Sequence, residues 1–229
     1  MRILLKLSGE ALAGDKKQGF DEETVRQVGA QIKEISKDNE ISIVIGGGNF
    51  WRGRTSEGMD RVKADQIGML ATVMNCLYVS EIFREMGMET EVFTPFIVST
   101  FTKQFSKDKA VKALKSGKIT FFAGGTGHPY FSTDMGTVLR ALEIEADAVL
   151  LAKSIDGVYD DDPKTNPNAK KFDKISLKEL VERGLKVIDT PASALALENS
   201  LEFLVFDLNE ENAIVKALSG DFNGTRVCV

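Results

Sequence analysis

The sequence predicts an α/β fold with three layers, in which a mainly parallel central sheet lies between two layers of helices. Short apolar runs, typical of buried strands, alternate with segments of helical periodicity along the whole chain. Several of the apolar runs end in glycine, as strands do before the ligand-binding loops of open α/β sheets. The chain shows no internal repeat and no convincing linker, so we expect a single domain over residues 1–229.

In the first half of the chain, strand and helix patterns follow one another regularly. The predicted strands are "RILLKLSG", which ends at glycine, Ile41–Ile45, and "TEVFT", which stops at Pro95. One helix is predicted to begin at Asp21, and a longer one covers about 61–86. Their apolar residues are Val25, Val28, Ile32 and Ile35 in the first helix, and Ile67, Leu70, Met74 and Leu77 in the second.

The second half continues the alternation. A helix is predicted over 106–115, with Gly117 as its C-terminal stop. "KITFFAGG", which ends in glycines, and "DAVLLA" are predicted strands on either side of a helix over 134–144. The segment "DDDPKTNPN" is rich in proline and asparagine, which predicts a loop. The remaining predicted elements are helices over 177–183, 192–199 and 211–218 and the strands "LEFLVF" and "TRVCV".

Composition and charge exclude several classes of protein. Among the 229 residues, 43% are hydrophobic and 28% are charged, which is typical of a globular protein. The net charge of −5, without a dense Lys/Arg run, disfavours a nucleic-acid partner. Cys76 and Cys228 form no CxxC motif, which is typical of reduced thiols in the cytoplasm. Lys6 interrupts the N-terminal apolar run and no window has 18 unbroken apolar residues, so we expect a cytoplasmic protein without a membrane partner.

Two glycine-rich loops follow predicted strands. One contains the glycines of 46–48, and the other contains those of 124–127. Because glycine has no Cβ, the chain can turn tightly there and bring its N–H groups close to a ligand, for which phosphate is the commonest candidate. Asn49 follows the first loop where a Walker A motif needs lysine and Ser/Thr, so the cation of a phosphate site must come from elsewhere.

Charged side chains near the predicted strand ends are candidate ligand contacts. Lys6 lies two residues before the Ser8-Gly9 pair and is a candidate for the missing cation, with an edge lysine or a snorkelling side chain as the alternative. Arg52 offers a planar fork of donors suited to phosphate, with an exposed arginine in a turn as the alternative. Asp134 stands at a predicted helix start, where it either caps the helix or belongs to the site.

Weaker candidates stand next to other predicted elements. Asp65 begins an apolar helix, so it either caps that helix or accepts a hydrogen bond from a ribose hydroxyl. Lys153, Tyr159 and Asp162 follow a strand, where they line a nucleotide pocket or belong to a solvated acidic loop. His128, the only histidine, is a candidate base or a surface residue of the second glycine loop.

Six motifs resemble those of the bacterial UMP kinases (uridylate kinases) of the amino acid kinase superfamily: "LLKLSGEALAG", "VIGGGNFWRG", "ADQIGMLATVMN", "GTGHPYFSTD", "RALEIEAD" and "AKSIDGVYDDDP". The resemblance spans essentially the whole chain, and "GMLATVMN" and "PYFSTD" are its most specific blocks. It implies the amino acid kinase (carbamate kinase-like) fold and transfer of the γ-phosphoryl group from ATP to UMP, with Mg²⁺ accompanying ATP. It also implies a homohexamer, inhibition by UTP and activation by GTP.

The resemblance further implies roles for individual residues. As the catalytic pair we predict Lys6 and Asp134, in which Asp134 holds either Lys6 or metal-bound water in place. The residues that match ATP contacts are Lys6, Leu7, Ser8, Gly9, Gly48, Arg52, Lys153, Tyr159 and Asp162. Those that match UMP contacts are Gly47, Asp65, Thr126, Gly127, His128, Pro129, Tyr130, Phe131, Ser132 and Thr133. The segment aligned with GTP activation is Gly14, Asp15, Lys16, Lys17, Gln18 and Gly19. The resemblance implies no protein side chain that binds the metal ion directly. The sequence departs from the family pattern at His128, where asparagine is usual.

Two other functions remain open from the sequence. One is a non-catalytic protein of the same fold that binds or senses nucleotides, and the other is a kinase that acts on a carboxylate or carbamate. The UMP phosphate is mostly a dianion near pH 7, because its second pKa is about 6, so its phosphorylation needs no base. We therefore expect catalysis by positioning and by charge neutralisation, with Lys6 and the amides of 46–48 as donors.

Overall fold

The computed structural model describes residues 1–16, 18–51, 58–185 and 187–229. Within these ranges nine strands form one sheet: β1 (Arg2–Leu7), β2 (Glu40–Ile45), β3 (Thr90–Thr94), β4 (Lys103–Gln104), β5 (Ile119–Phe122), β6 (Ala148–Lys153), β9 (Lys174–Ser176), β10 (Phe203–Asp207) and β11 (Gly224–Cys228). Strands β7 (Val158–Tyr159) and β8 (Lys171–Phe172) form a separate antiparallel pair. The helices are α1 (Glu22–Ile35), α2 (Arg61–Glu85), α3 (Lys107–Lys115), α4 (Thr133–Glu143), α5 (Leu177–Glu182), α6 (Thr190–Glu198) and α7 (Ala213–Ser219), with a 3₁₀ helix at Ala11–Lys16.

The large sheet is mainly parallel, as the sequence predicts. Its strand order is β4-β3-β5-β2-β1-β6-β10-β11-β9, and all neighbours pair in parallel except β10 and β11. Strand β1 lies near the middle, between β2 and β6. The sequence pattern missed β4, β7, β8 and β9, since strands of two or three residues are too short to show a periodicity.

Each face of the sheet buries a separate apolar core, which confirms the three-layer arrangement. In β1, Ile3, Leu5 and Leu7 belong to the core under α1, α2 and α7. Leu4 belongs to the core on the opposite face, under α3, α4, α5 and α6. Because side chains alternate along a strand, Lys6 shares the face of Leu4 and points toward the side of α4.

Helix α2 differs from the expectation for its apolar stripe. Ile67, Leu70 and Met74 are 36%, 52% and 47% exposed, whereas Cys76 and Val79 on the opposite side are fully buried. The helix is long and apolar enough to cross a membrane, but 56% of its apolar window is buried inside the protein. Core helices of soluble proteins meet the same length and composition test, so this is weak evidence for a membrane span.

The adjacent strands β5, β2, β1 and β6 run in parallel, so their carboxyl ends meet at one edge of the sheet. The loop after β1 begins at Ser8, and the first glycine loop follows β2. The second glycine loop follows β5 and leads into α4. The sheet therefore gathers at one edge the segments that the sequence singled out.

Candidate active site

A cleft of about 300 Å³ opens at this edge of the sheet. It contains residues from the ends of β1, β2 and β5, from the first turns of α2 and from the start of α4. The predicted site residues that line it are Lys6, Ser8, Gly9, Gly47, Gly48, Asp65, Thr126, His128, Phe131, Ser132, Thr133 and Asp134. Most of the predicted phosphate and acceptor contacts therefore share one cavity.

Lys6 and Asp134 form an ion pair in this cleft. Lys6 Nζ lies 3.1 Å from Asp134 Oδ1, and the side chains are only 12% and 19% exposed. Helix α4 is capped by Ser132, whose Oγ accepts from the N–H of Met135 at 3.2 Å. The alternative in which Asp134 caps this helix is therefore wrong. Its carboxylate lies in the first turn, where the helix dipole favours a negative charge.

None of the three glycines of 46–48 has a positive φ, so none of them is required by an unusual backbone conformation. Close packing instead accounts for Gly47 and Gly48. A Cβ on Gly47 would lie 3.1 Å from the carbonyl oxygen of Gly68, and one on Gly48 would lie 2.6 Å from Glu10 Oε1. The N–H of Gly46 donates to the carbonyl of Leu7 at 3.0 Å. The expectation that all three amides face a ligand is therefore wrong for Gly46. Within the described part of the chain, the amides of Gly47 and Gly48 have no acceptor.

Leu7 contributes to this site only through its backbone. Its side chain is fully buried in the core under α1, α2 and α7. Its carbonyl holds the first glycine loop through the bond from Gly46. Leu7 thus positions the loop and presents no side chain to a nucleotide.

The second glycine loop uses the conformational freedom of glycine. Gly124, Gly125 and Gly127 have φ angles of 78°, 57° and 83°, a region that residues with a Cβ rarely adopt. The N–H of Gly124 donates to Thr72 Oγ1 at 2.8 Å, which fixes the start of the loop to α2. The loop therefore curls back over the cleft before α4 begins.

Asp65 connects α2 to the loop of residues 126–133, here called the acceptor loop. Helix α2 is capped by Asp60, whose Oδ1 accepts from the N–H of Lys63 at 3.1 Å, so the capping alternative for Asp65 is wrong. Asp65 Oδ2 accepts from Arg61 Nε and from the N–H of Tyr130, both at 2.8 Å. Arg61 lines the cleft, whereas the side chain of Tyr130 is mostly exposed outside it.

Gly127, Pro129 and Tyr130 are predicted acceptor contacts that do not line the cleft. Gly127 instead closes a turn, in which its N–H donates to the carbonyl of Gly124 at 3.0 Å. Thr126 and His128 face the cavity, and Thr126 Oγ1 accepts from the N–H of His128 at 3.2 Å. The acceptor loop therefore offers only some of its side chains to the cleft.

Two buried asparagines hold the first glycine loop from behind. The carboxamides of Asn49 and Asn75 bond reciprocally, at 3.1 Å and 2.8 Å. Asn75 Nδ2 also donates to the carbonyl of Gly46 at 2.6 Å, and Asn49 Nδ2 donates to that of Gly19 at 2.8 Å. Sequence reasoning assigned no role to Asn75, although it ends the specific block "GMLATVMN".

The segment aligned with GTP activation lies behind the same loop. Gly14 and Gly19 have φ angles of 53° and 74°, and the N–H of Gly19 donates to the carbonyl of Asn49 at 3.2 Å. Lys16 Nζ donates to the carbonyl of Phe20 at 3.3 Å, and Gln18 is exposed. Three predicted contacts lie outside the described residues, namely Arg52, Lys17 and the side chain of Asp15.

A second cleft of about 490 Å³ lies between β6 and the helices α5 and α6, and it shares Asp134 with the first. Lys153 lines it and donates through Nζ to the carbonyl of Val187. Burial lowers the pKa of Lys153 from 10.5; Asp134 raises this pKa, and the positive charge of Lys6 lowers it further. Asp134 thus stands between two lysines that belong to two adjoining cavities.

Tyr159 and Asp162 do not line either cleft. Tyr159 donates its hydroxyl to Asp156 Oδ1 at 2.7 Å, and this bond to a carboxylate raises the pKa of the phenol. Asp162 stands in an exposed turn and accepts from the N–H of Lys164 at 2.9 Å. Of the three predicted nucleotide contacts at and after the end of β6, only Lys153 therefore lies at a cavity.

Comparisons with known proteins identify the family of this chain. Residues 1–207 match the model of the Amino acid kinase family. A uridylate kinase of Streptococcus thermophilus is 45% identical over 230 aligned positions, which cover 99% of this chain and 94% of that protein. The UMP kinase structure from Ureaplasma parvum is 37% identical with a TM-score of 0.95, covering 100% of this chain and 98% of that one. The UMP kinase structure from Bacillus anthracis is 36% identical with a TM-score of 0.94, covering 99% of this chain and 95% of that one. The chain therefore belongs to the amino acid kinase family.

Proposed function

We propose that this chain is a cytoplasmic enzyme of a single domain, over residues 1–229, that transfers the γ-phosphoryl group of ATP to UMP. The products are ADP and UDP, so the reaction belongs to pyrimidine nucleotide synthesis. The observation that carries the proposal is the Lys6–Asp134 ion pair at the junction of two clefts. One cleft suits an acceptor and the other suits the donor nucleotide. The similarity to uridylate kinases over nearly the whole chain selects UMP as the acceptor.

The first cleft supplies what phosphoryl transfer to a phosphate monoester requires. The acceptor is already a nucleophile near pH 7, so its attack on ATP needs no base. Lys6 Nζ and the amides of Gly47 and Gly48 are the donors for the charge that spreads over the transferred group. Asp134 holds Lys6 in place, and Asp65 accepts from a ribose hydroxyl of UMP.

The second cleft receives the ATP nucleoside, with Lys153 close to the phosphates. Mg²⁺ binds mainly through nucleotide phosphates and water in such sites, and when bound it neutralises phosphate charge. Glu10 and Asp134 are carboxylates that line the first cleft. Among the described residues, no three His, Cys, Asp or Glu side chains form a cluster that could hold a metal ion. These residues therefore fit Mg²⁺–ATP, and Asp134 keeps the ammonium group of Lys6 oriented toward it.

Assembly and regulation are part of the same proposal. The exposed apolar residues Ile67, Leu70 and Met74 of α2 support self-association, and the assembly proposed is a homohexamer. GTP is proposed as an activator and UTP as an inhibitor. The hydrogen bonds between Gly19 and Asn49 support an effect of the 14–19 segment on the first glycine loop.

The test is an assay of ADP release with ATP and Mg²⁺ and a panel of acceptors: UMP, CMP, dUMP, glutamate, aspartate and carbamate. We expect strong turnover with UMP. Turnover with a carboxylate or carbamate in its place would overturn the proposed acceptor. Tight nucleotide binding without turnover on any acceptor would show a nucleotide-binding protein that does not catalyse transfer.

A further inference from the structure

We propose that Arg61 is a positioning residue that joins the acceptor loop to α2 and thereby sets the affinity for the nucleoside monophosphate. It does so through a three-residue contact, here called the clasp, made by Arg61, Asp65 and Tyr130. The inference rests on the proposed phosphorylation of UMP and adds to it a residue that neither the motifs nor the comparisons assign.

The clasp converges on a single oxygen atom. Asp65 Oδ2 accepts from Arg61 Nε and from the backbone N–H of Tyr130, both at 2.8 Å. The Arg61 guanidinium also lies 5.2 Å from the centre of the Tyr130 ring, within the range of a cation–π contact. Arg61 therefore contacts both Asp65 and Tyr130. The hydrogen bond between Asp65 and Tyr130 joins α2 to a loop residue 65 positions further along the chain. Neither contact uses Oδ1, which leaves that oxygen for a ribose hydroxyl.

Tyr130 holds a backbone conformation that needs support. Its φ is 72°, a left-handed value that a residue with a side chain adopts only at an energetic cost. Two contacts of the clasp offset this cost, namely the bond from its N–H to Asp65 and the position of its ring against Arg61. The turn at Tyr130 directs the chain to Phe131 and Ser132, which line the cleft. Without the clasp, the loop can relax away from the position that receives UMP.

The charge of Arg61 matters for the same reason. The carboxylates that line the first cleft are Glu10, Asp65 and Asp134, and the acceptor brings about two further negative charges. Arg61 partly neutralises Asp65, so the acceptor phosphate meets less repulsion on that side of the cavity. Removal of Arg61 leaves the Asp65 carboxylate without its cation and loosens its hold on Tyr130.

The clasp contributes little to global stability. The side chain of Arg61 is 37% exposed and Tyr130 is 64% exposed, so their contact buries little apolar area. Loss of the clasp should therefore change the position of the acceptor loop and leave the fold intact. Bound UMP should hold the acceptor loop in its wild-type position even without the clasp. Loss of the clasp should therefore raise the KM for UMP and leave kcat nearly unchanged.

Steady-state kinetics of Arg61→Ala give the first test. We expect the KM for UMP to rise about tenfold, which corresponds to about 1.4 kcal/mol. The kcat and the KM for ATP should stay within about twofold of the wild type. Arg61→Lys keeps the charge but lacks the planar fork, so its KM for UMP should lie between those of the wild type and Arg61→Ala. Lys63→Ala, which removes an exposed cation from the same helical turn, is the matched control.

The second test needs no substrate. Hydrogen–deuterium exchange over the peptide that contains 126–133 reports on the Tyr130 amide at short labelling times. In Arg61→Ala this amide should exchange at least about tenfold faster than in the wild type, and in Lys63→Ala it should not. In the double variant Arg61→Ala/Tyr130→Ala, the KM for UMP should rise by much less than the product of the two single increases, because both substitutions remove the same contact between Arg61 and Tyr130.

The outcomes separate the clasp from the proposed function. A wild-type enzyme active on UMP, with unchanged KM and exchange in Arg61→Ala, would overturn the clasp alone. A wild-type chain without turnover on UMP would overturn the proposed function, while faster exchange in Arg61→Ala would still support the clasp. A fall in kcat with an unchanged KM for UMP would assign Arg61 to the transferred phosphoryl group and would also refute the positioning role.

Discussion

Replacement of Lys6 by alanine is the most direct test of the proposed chemistry. Lys6 Nζ lies 3.1 Å from Asp134 Oδ1, and the two side chains are mostly buried. At that separation, two unit charges interact with about 5 kcal/mol for an effective dielectric constant of about 20. This energy is an upper limit for the attraction between Lys6 and the transferred phosphoryl group, because the cleft is open to solvent. Removal of one preorganised donor typically lowers kcat by about 10²–10³, which is about 2.7–4 kcal/mol.

We therefore expect kcat of Lys6→Ala to fall by about 10²–10³, with the KM for UMP within about threefold of the wild type. The assay is ADP release at saturating ATP and UMP, followed by a UMP titration. Lys6→Arg should recover only part of kcat, because its longer planar group cannot take the same position between β1 and α4. Turnover within tenfold of the wild type would refute the role of Lys6.

A stability control belongs to the same experiment. Lys6→Ala removes the ion pair of Asp134, whose side chain is only 19% exposed in the wild type, so some loss of stability is expected. Thermal unfolding must show that the variant is folded at the assay temperature. Lys63→Ala serves again as the matched loss of a lysine outside the cleft. If Lys6→Ala is folded and binds UMP normally, the loss of turnover belongs to the transfer step.

Three other predictions follow from the same geometry. Asp65→Asn should raise the KM for UMP by about tenfold or more with kcat largely retained, and an unchanged UMP affinity would remove Asp65 from the site. Burial lowers the pKa of Lys153 from 10.5, so this lysine loses its proton, and ATP affinity should fall, as pH rises through a value below 10.5. Titration calorimetry across pH checks this, and Lys153→Arg should remove the decline because arginine stays charged. Burial raises the pKa of Cys76 to about 12, so in a Cys228→Ser background its thiol should resist alkylation until the protein is unfolded.

The order of elements was predictable because each long strand and helix carries its own periodicity. Helix α1, for example, has buried Val25, Val28 and Ile32 at helical spacing, and its bounds follow from that spacing and from Asp21. The candidate pair Lys6 and Asp134 was also predictable as two residues of interest. Their contact depends on the adjacency of β5, β2 and β1, a long-range arrangement that no local pattern contains.

Other features could not be predicted for related reasons. The apolar stripe of α2 looks like a core face in sequence, but a helix with apolar residues around much of its surface does not reveal which side meets the sheet. Asn75 and Arg61 are polar residues in a helix, where a solvent-exposed position is the ordinary expectation. Their partners, Gly46 and Tyr130, lie 29 and 69 positions away along the chain, so only the folded structure shows the contacts.

The position of Asp134 favours an enzyme over a protein that only binds nucleotide. A site that evolved only for tight binding of phosphate gains nothing from a carboxylate between Lys6 and Lys153, because that carboxylate repels the ligand. The same carboxylate is useful if Lys6 must be held rigidly for a charge that develops only during transfer. Weaker ground-state binding is then compatible with faster turnover, since catalysis depends on contacts that strengthen in the transition state. Asp134 lines both clefts, and under the proposed function it holds Lys6 for the transfer between them.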